Sequence, residues 1–300
     1  MRTLLFVYNP YSGMQTISRR LSNIVDMFTS EGWDVIAHPT QSGDDCFETV
    51  KRLCGEVDRV VVAGGDGTLN GAINGFMAAG VDRPFGYIPC GSTNDFSHSI
   101  GIPTQVKNAA KNALCGEPFA YDIGCMNGRY FTYVAGFGAF TEVTYTTPQS
   151  TKNTIGYFAY LISAAASLPN IVPYHIRYES DEMCGEDDYV LGLVTNTLQV
   201  GGMKNILPRD IALDDGLFEV LLVKNPKNPV DLNKILISAM KHDFDADCFE
   251  YFKTTNITFI SELPLAWTLD GENGGTHLET KITCHRKALQ IITSKKQDNI

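Results

Sequence analysis

The chain has 300 residues, 44% of them hydrophobic and 19% charged, which excludes a disordered or fibrous chain and gives enough apolar material for one large or two ordinary cores. Its 24 Lys and Arg against 34 Asp and Glu leave a net charge of −10, which argues against unspecific attraction to nucleic acid. The same balance argues equally against docking on an anionic membrane through a basic patch.

Residues 3–8 (TLLFVY) read as a strand that breaks at Asn9-Pro10. Ile17, Leu21, Ile24, Val25 and Phe28 then fall on one side of a helix ended by Gly32. Residues 33–38 form a second predicted strand, and Phe47, Val50, Leu53 and Cys54 mark an amphipathic helix closed by Gly55. Residues 59–63 (RVVVA) are β-branched without alternation, as in a strand covered on both faces. A helix through Leu69, Ala72, Ile73, Phe76 and Met77, a strand over 84–88 and a helix through Val106, Ala109, Ala110, Ala113 and Leu114 follow. This alternation predicts a doubly wound α/β domain over residues 1 to about 122.

Beyond Asp122 the rhythm favours strands. Asn127-Gly128 is a hairpin-turn dipeptide, and residues 174–180, 189–197, 218–224, 256–261 and 288–294 are strand-like. Residues 123–300 are therefore expected to form a second, β-rich domain. Leu232, Ile235, Leu236, Ala239 and Met240 give it one helix after Pro229 and Asp231. The last strand, about 288–293, either stays in this domain or returns to the first.

The longest uncharged run, residues 154–176, is interrupted by Pro169 and Pro173. Its helix-compatible part, 155–168, would span roughly 21 Å of a bilayer core of about 30 Å, too short to cross. It reads either as a buried helix or as one lying near lipid. The eight cysteines form no C-x-x-C pair and no zinc-ligand grouping with histidines. No cationic region followed by an apolar core opens the chain, so reduced thiols and a cytoplasmic protein are expected.

Four polar loops follow the predicted strands of the first domain. Gly64, Gly65, Asp66, Gly67 and Thr68 lie between a buried strand and a helix N-terminus, where main-chain N–H groups attract anions and glycines admit close approach. Asp66 could hold a hydrated cation beside phosphate oxygens; the alternative is a tight turn with Asp66 as N-cap. Residues 89–96 follow the next strand in the same manner, with Ser92, Thr93, Asn94 and a second carboxylate, Asp95. Asn9, Pro10, Tyr11, Ser12 and Gly13 make a third loop, and Thr40 belongs to a fourth. There is no G-x-x-x-x-G-K-[ST], no G-x-G-x-x-G and no H-R-D loop. With no lysine in the glycine turn, a bound triphosphate would rely on main-chain N–H groups and Mg²⁺, and the acids gain a reason to be there.

Gly64 to Thr68 with Leu69 and Asn70 after it, residues 89–96, Ile100-Gly101-Ile102-Pro103 and the opening Asn9 to Gly13 together resemble the diacylglycerol kinase catalytic domain family, specifically its bacterial soluble lipid kinases. The order and spacing match along nearly the whole chain. GGDGT alone is shared with NAD kinases and phosphofructokinases; its combination with GSTNDF is more specific. The resemblance implies an N-terminal α/β nucleotide-binding domain, a C-terminal β-sandwich domain and an active site in the interdomain cleft. It also implies transfer of the γ-phosphoryl group of ATP to a lipid hydroxyl. The expected partner is a lipid at a membrane surface, met peripherally; a homodimer stays open.

Two acidic motifs of the second domain carry the resemblance further. Asp214 and Asp215 before Gly216 read as turn residues; the resemblance implies a structural Mg²⁺ on the Asp215 side chain with main-chain oxygens near Ala212 and Leu217. Glu272, expected to project from a turn, reads as a solvated hairpin acid or, by resemblance, as the proton acceptor from the lipid hydroxyl. Asp122 corresponds either to an acid linking Mg²⁺ and water to Asp66 and Asp95 or to a domain-junction cap. Ser97-His98-Ser99 stand where relatives commonly carry an arginine, and His98 is expected at the surface. Phe131, Tyr133, Phe137 and Phe140 are read as core or as an acyl-chain channel. Two other functions stay open: a kinase for a soluble acceptor, as in NAD kinases, and a nucleotide-binding regulatory protein without turnover.

Overall fold

The computed structural model describes residues 2–91, 94–138, 173–197, 199–200, 203–204, 211–241, 243–244 and 246–294. Ser92, Thr93, Phe140, residues 155–168 and the side chain of Met240 lie outside the described residues. The chain forms two compact units, Met1–Ile123 with Arg286–Ile300, and Gly124–His285.

The first unit runs β1 (Arg2–Tyr8), α1 (Thr16–Ser30), β2 (Trp33–Pro39), α2 (Asp45–Leu53), β3 (Arg59–Gly64), α3 (Asp66–Ala79), β4 (Phe85–Pro89), α4 (Asp95–Ser99), α5 (Val106–Cys115) and the start of β5 (Glu117–Met126). The strands pair in parallel in the order β4-β3-β1-β2, with Tyr8 opposite both Ala63 and Pro39, and Gly64 opposite Pro89. The uninterrupted apolar runs of β1 and β3 are buried, as strands covered on both sides must be. Leu4, Phe6 and Tyr8 share one core with Ile17, Ile24 and Phe28 of α1 and with Val106, Ala109, Ala110 and Ala113 of α5.

Helix α2 departs from the predicted stripe. Cys46, Thr49 and Val50 are its buried residues, whereas Phe47 is half-buried and Leu53 likewise. The cause lies on α3, where a Cβ on Gly75 would sit 2.8 Å from the Phe47 carbonyl oxygen and 3.0 Å from Val50 Cβ. With Gly71, whose Cβ would sit 3.4 Å from Cys46 Cβ, Gly75 lets the α2 backbone come close, and that approach selects the face. Cys54, with right-handed backbone, is the C-cap in place of the expected Gly55.

The second unit continues with β6 (Arg129–Phe131), β7 (Val134–Gly138), β8 (Tyr174–Ser180), β9 (Cys184–Thr195), β10 (Gln199–Val200), β11 (Met203–Lys204), β12 (Phe218–Lys224), α6 (Pro229–Lys241), β13 (Phe249–Thr254), β14 (Asn256–Leu269) and β15 (Glu272–Thr293). Its antiparallel order is β13-β12-β9-β7-β14-β15, with β8 paired to both β14 and β9. Asn127 and Gly128, both at positive φ, close the β5–β6 hairpin. β13 has no counterpart among the predicted strands. Strand β14 continues to Leu269, past the predicted 256–261, because a register shift between Ile260 and Leu265 takes up Pro264, which has no N–H for the ladder.

Phe131, Phe137, Tyr178, Phe259 and Trp267 build the second unit's core, with the Phe137 and Trp267 rings 5.0 Å apart edge to face. Tyr133 is buried as well, so the three described aromatics of that set, read as core or as channel, are buried core residues. The end of β15 pairs in parallel with β4 in the first unit, Ile291 opposite Phe85. All eight cysteines are free. Among the described residues no helix is long and apolar enough to cross a membrane.

Candidate active site

Parallel register brings the loops after β1, β2, β3 and β4 to one end of the first unit's sheet. Asn9 N donates to Ala63 O (2.8 Å), Thr40 N to Tyr8 O (2.9 Å) and Cys90 N to Gly64 O (2.8 Å), so the chain turns at the same level in each loop. Side chains stitch them further. The Asn9 amide Nδ2 lies 3.5 Å from Thr68 Oγ1, while its Oδ1 accepts from Tyr11 N at 2.9 Å in an Asx turn. Asn94, itself at φ 52, takes Gly91 N on Oδ1 (2.8 Å) and donates Nδ2 to Gly91 O (2.9 Å). At Gly13 and Gly91 the close approach is to main-chain atoms: a Cβ on Gly13 would be 2.0 Å from Cys90 O, and one on Gly91 would be 2.7 Å from Gly65 Cα. The first, third and fourth loops thus touch main chain to main chain.

Asn9, Thr40, Gly64, Gly65, Thr68 and Asn94 therefore gather at one sheet edge, with Pro10 beside them, its carbonyl accepting from Ser18 Oγ at 3.0 Å. Tyr11 stands out into solvent. Asp66 is not the N-cap: Gly65 holds that position with extended backbone, and Asp66 is the first residue of α3, where a carboxylate favours the helix dipole. Leu69 and Asn70 turn into the core side of α3. Asp95 opens the five-residue α4 and is buried, while His98 is exposed. Tyr87 is fully buried beneath this edge and donates to Gly64 O at 3.0 Å; burial, with Asp66 and Cys90 nearby, pushes its hydroxyl well above the phenol range.

Asp122 is buried on β5, and its Oδ1 accepts Lys287 N at 2.6 Å, where the returning strand passes through φ 51. Among the described residues no three His, Cys, Asp or Glu side chains are grouped to hold a metal. A cation at Asp66 or Asp95 would thus need oxygens from elsewhere, such as a ligand's phosphates or water.

In the second unit, Asp215 Oδ1 accepts Leu217 N at 3.0 Å, an Asx turn within residues 211–217. The turn is compatible with a hard cation, since a carboxylate with the main-chain carbonyls of Ala212 and Leu217 is an all-oxygen set. Beside it Glu219 is fully buried, with Lys253 Nζ 3.2 Å from its Oε1. Burial pushes the Glu219 carboxyl up to about 7 against the pull of Lys253, and Asp215 pushes the same way. Reading the sequence gives Glu219 no role; its one signal is an acid inside an apolar strand.

Glu272 does not project from the turn itself. It is the first residue of β15, exposed, and paired with Leu269 across a two-residue turn of Asp270 (φ 51) and Gly271 (φ 83). Asp270 is buried and accepts from Thr132 and Tyr133 main-chain N–H groups at 2.7 and 2.9 Å. Reading the sequence passes over it in favour of Glu272.

A cluster of polar, glycine-rich loops at one strand edge, on a mixed α/β fold, is the setting in which the comparisons with known proteins fall. The model of the diacylglycerol kinase catalytic domain matches residues 3–126, and the chain belongs to that family, as a kinase acting on an alcohol group. The diacylglycerol kinase of Bacillus subtilis (strain 168) is 30% identical over 303 residues, covering 100% of this chain and 99% of that protein. The diacylglycerol kinase of Staphylococcus carnosus (strain TM300) is 33% identical over 298 residues, covering 98% and 95%. A crystal structure from Bacillus anthracis str. Sterne superposes with a TM-score of 0.82 at 24% identity, covering 98% of this chain and 95% of that one, which shows a shared fold.

Proposed function

We propose that this chain is an ATP- and Mg²⁺-dependent lipid kinase that transfers the γ-phosphoryl group to a hydroxyl of diacylglycerol or a related lipid. In this reading residues 1–122 are a doubly wound ATP-binding domain, and residues 123–300 a β-sandwich domain whose last strand returns to the first. The observation that carries it is the convergence of the lysine-free loops at Asn9, Gly64–Thr68, and Gly91 with Asn94 on one sheet edge.

Main-chain N–H groups of the glycine loops bind and orient the phosphates without a basic side chain. Asn9, Ser12, Thr40, Thr68, Ser92 and Asn94 supply directed polar contacts to the nucleotide. Asp66 and Asp95, together with Asp122, would hold the cation that accompanies it, and Asp215 with the carbonyls of Ala212 and Leu217 would hold a structural one. Mg²⁺, when bound, neutralises charge on the transferring phosphoryl oxygens. Glu272 takes the proton of the acceptor hydroxyl as the new P–O bond forms and the bond from the γ-phosphorus to the β–γ bridging oxygen breaks, releasing ADP. The lipid is met at a membrane surface by peripheral contact from the cytoplasmic side.

The test is incubation with labelled ATP, Mg²⁺ and either diacylglycerol vesicles or NAD. Labelled lipid is expected, with Glu272→Ala and Asp66→Ala each lowering kcat roughly 100-fold or more. Undiminished product from either variant removes this mechanism. Label on NAD alone selects a soluble acceptor, and nucleotide binding with no transfer selects a regulatory protein.

A further inference from the structure

The turn that presents Glu272 holds more than a turn requires. Two residues at positive φ between paired strands are ordinarily supplied by Asn-Gly or by a solvated Asp-Gly. Here Asp270 is only 4% exposed, and its side chain faces the stretch from β6 to β7. Its Oδ2 accepts Thr132 N at 2.7 Å and the Thr132 hydroxyl; its Oδ1 accepts Tyr133 N at 2.9 Å and Val134 N at 3.1 Å. The main chain adds Asp270 N to Val134 O at 2.9 Å and the Tyr133 hydroxyl to Asp270 O at 3.2 Å. Both carboxylate oxygens meet donors, so an amide in their place would turn an N–H toward another N–H. Burying a carboxylate is costly even with such partners, and an exposed turn residue would have closed the hairpin.

We propose that Asp270 is a positioning residue for Glu272: it locks the β14–β15 turn onto residues 132–134 and thereby fixes the main chain from which the proton acceptor extends. This rests on the reading of Glu272 given above. Leu269, opposite Ala135 of β7 and opposite Glu272 of β15, completes the frame. Glu272 is then left with only its own side-chain torsions to settle, which is the condition for a base to meet a hydroxyl in a narrow range of geometry.

The experiment is a double-mutant cycle. Wild type, Asp270→Asn, Glu272→Gln and the double variant are assayed with labelled ATP, Mg²⁺ and phosphatidylcholine vesicles carrying diacylglycerol, with incubation long enough to quantify slow product. Asp270→Asn is expected to lower kcat roughly 10- to 100-fold with the KM for ATP within about twofold of wild type. In the Glu272→Gln background it is expected to lower kcat no further, because a residue that acts through Glu272 has nothing left to position. Thr132→Val, which removes one hydroxyl donor, is expected to lower kcat roughly two- to fivefold in the wild-type background only; it carries the same cycle should Asp270→Asn fail to fold. A full further loss on the Glu272→Gln background, or an unaffected Asp270→Asn beside a slowed Glu272→Gln, overturns the inference alone. Equal rates for wild type and Glu272→Gln overturn the proton-acceptor reading and the inference with it.

Discussion

Gly13 carries two constraints at once, a φ of 52 and a neighbouring carbonyl, Cys90 O, only 2.0 Å from where a Cβ would stand. Alanine there meets left-handed strain of about 1–2 kcal/mol in addition to the clash. Gly13→Ala is therefore expected to lower the urea midpoint and to weaken ATP binding together, read by unfolding curves and calorimetric titration. An unchanged midpoint would contradict the close contact between the first and fourth loops. A second residue can be followed by pH. His175 Nδ1 lies 2.9 Å from Asp188 Oδ1 and its Nε2 3.1 Å from Glu186 Oε1, and these hydrogen bonds raise its pKa above the ordinary 6.5. For a raised histidine the favourable contribution is complete below the unfolded value and is lost as pH rises through the folded one. The ring is exposed and screened by solvent, so the effect belongs in a titration rather than in stability. Proton NMR should show the His175 midpoint above 6.5, moving down in Asp188→Asn.

At the level of elements, the α2–α3 contact is the clearest case of tertiary packing overriding local pattern. A Cβ on Gly75 would lie 2.8 Å from Phe47 O and 3.1 Å from Lys51 N, both main-chain atoms. Because neither can swing aside, Gly75→Ala is expected to push the helices apart and to destabilise by about 1–3 kcal/mol, despite alanine's better helix propensity. Equal or higher stability by urea unfolding would refute that packing. The same contact explains why the apolar stripe drawn through Phe47 and Leu53 is misplaced, since the glycines that choose the face sit on another helix. The strand-helix alternation of the first unit, by contrast, is legible because buried parallel strands are unbroken apolar runs and the loops after them are polar and glycine-rich. β13 escapes because FEYFKT interleaves charges with aromatics, and the strand predicted over 256–261 stops short of the end of β14 because Pro264, taken up by a bulge, breaks the run. Within Asp270-Gly271-Glu272 the residue types are visible. Which acid turns inward depends on donors at 132–134, far away in the chain.

For the whole molecule the decisive feature is that the first unit is discontinuous in sequence, Met1–Ile123 completed by Arg286–Ile300. The returning segment brings Leu289, Ile291 and Ile292, all buried, alongside β4. It is tied down by Asn112 Nδ2 to Ile292 O at 3.0 Å, Ser294 Oγ to Gly101 O at 2.7 Å and the Asp122–Lys287 contact. Burying three aliphatic side chains contributes on the order of 5 kcal/mol, comparable with the whole stability of an ordinary domain at about 5–15 kcal/mol. A fragment of residues 1–126 should therefore lack a cooperative melt by circular dichroism, even though it contains every loop of the candidate nucleotide site. Adding a peptide of residues 286–300 should restore a transition whose midpoint rises with peptide concentration, because the peptide binds only the folded form. A fragment that melts cooperatively at the full chain's temperature without the peptide would show that the final strand is dispensable to the first unit.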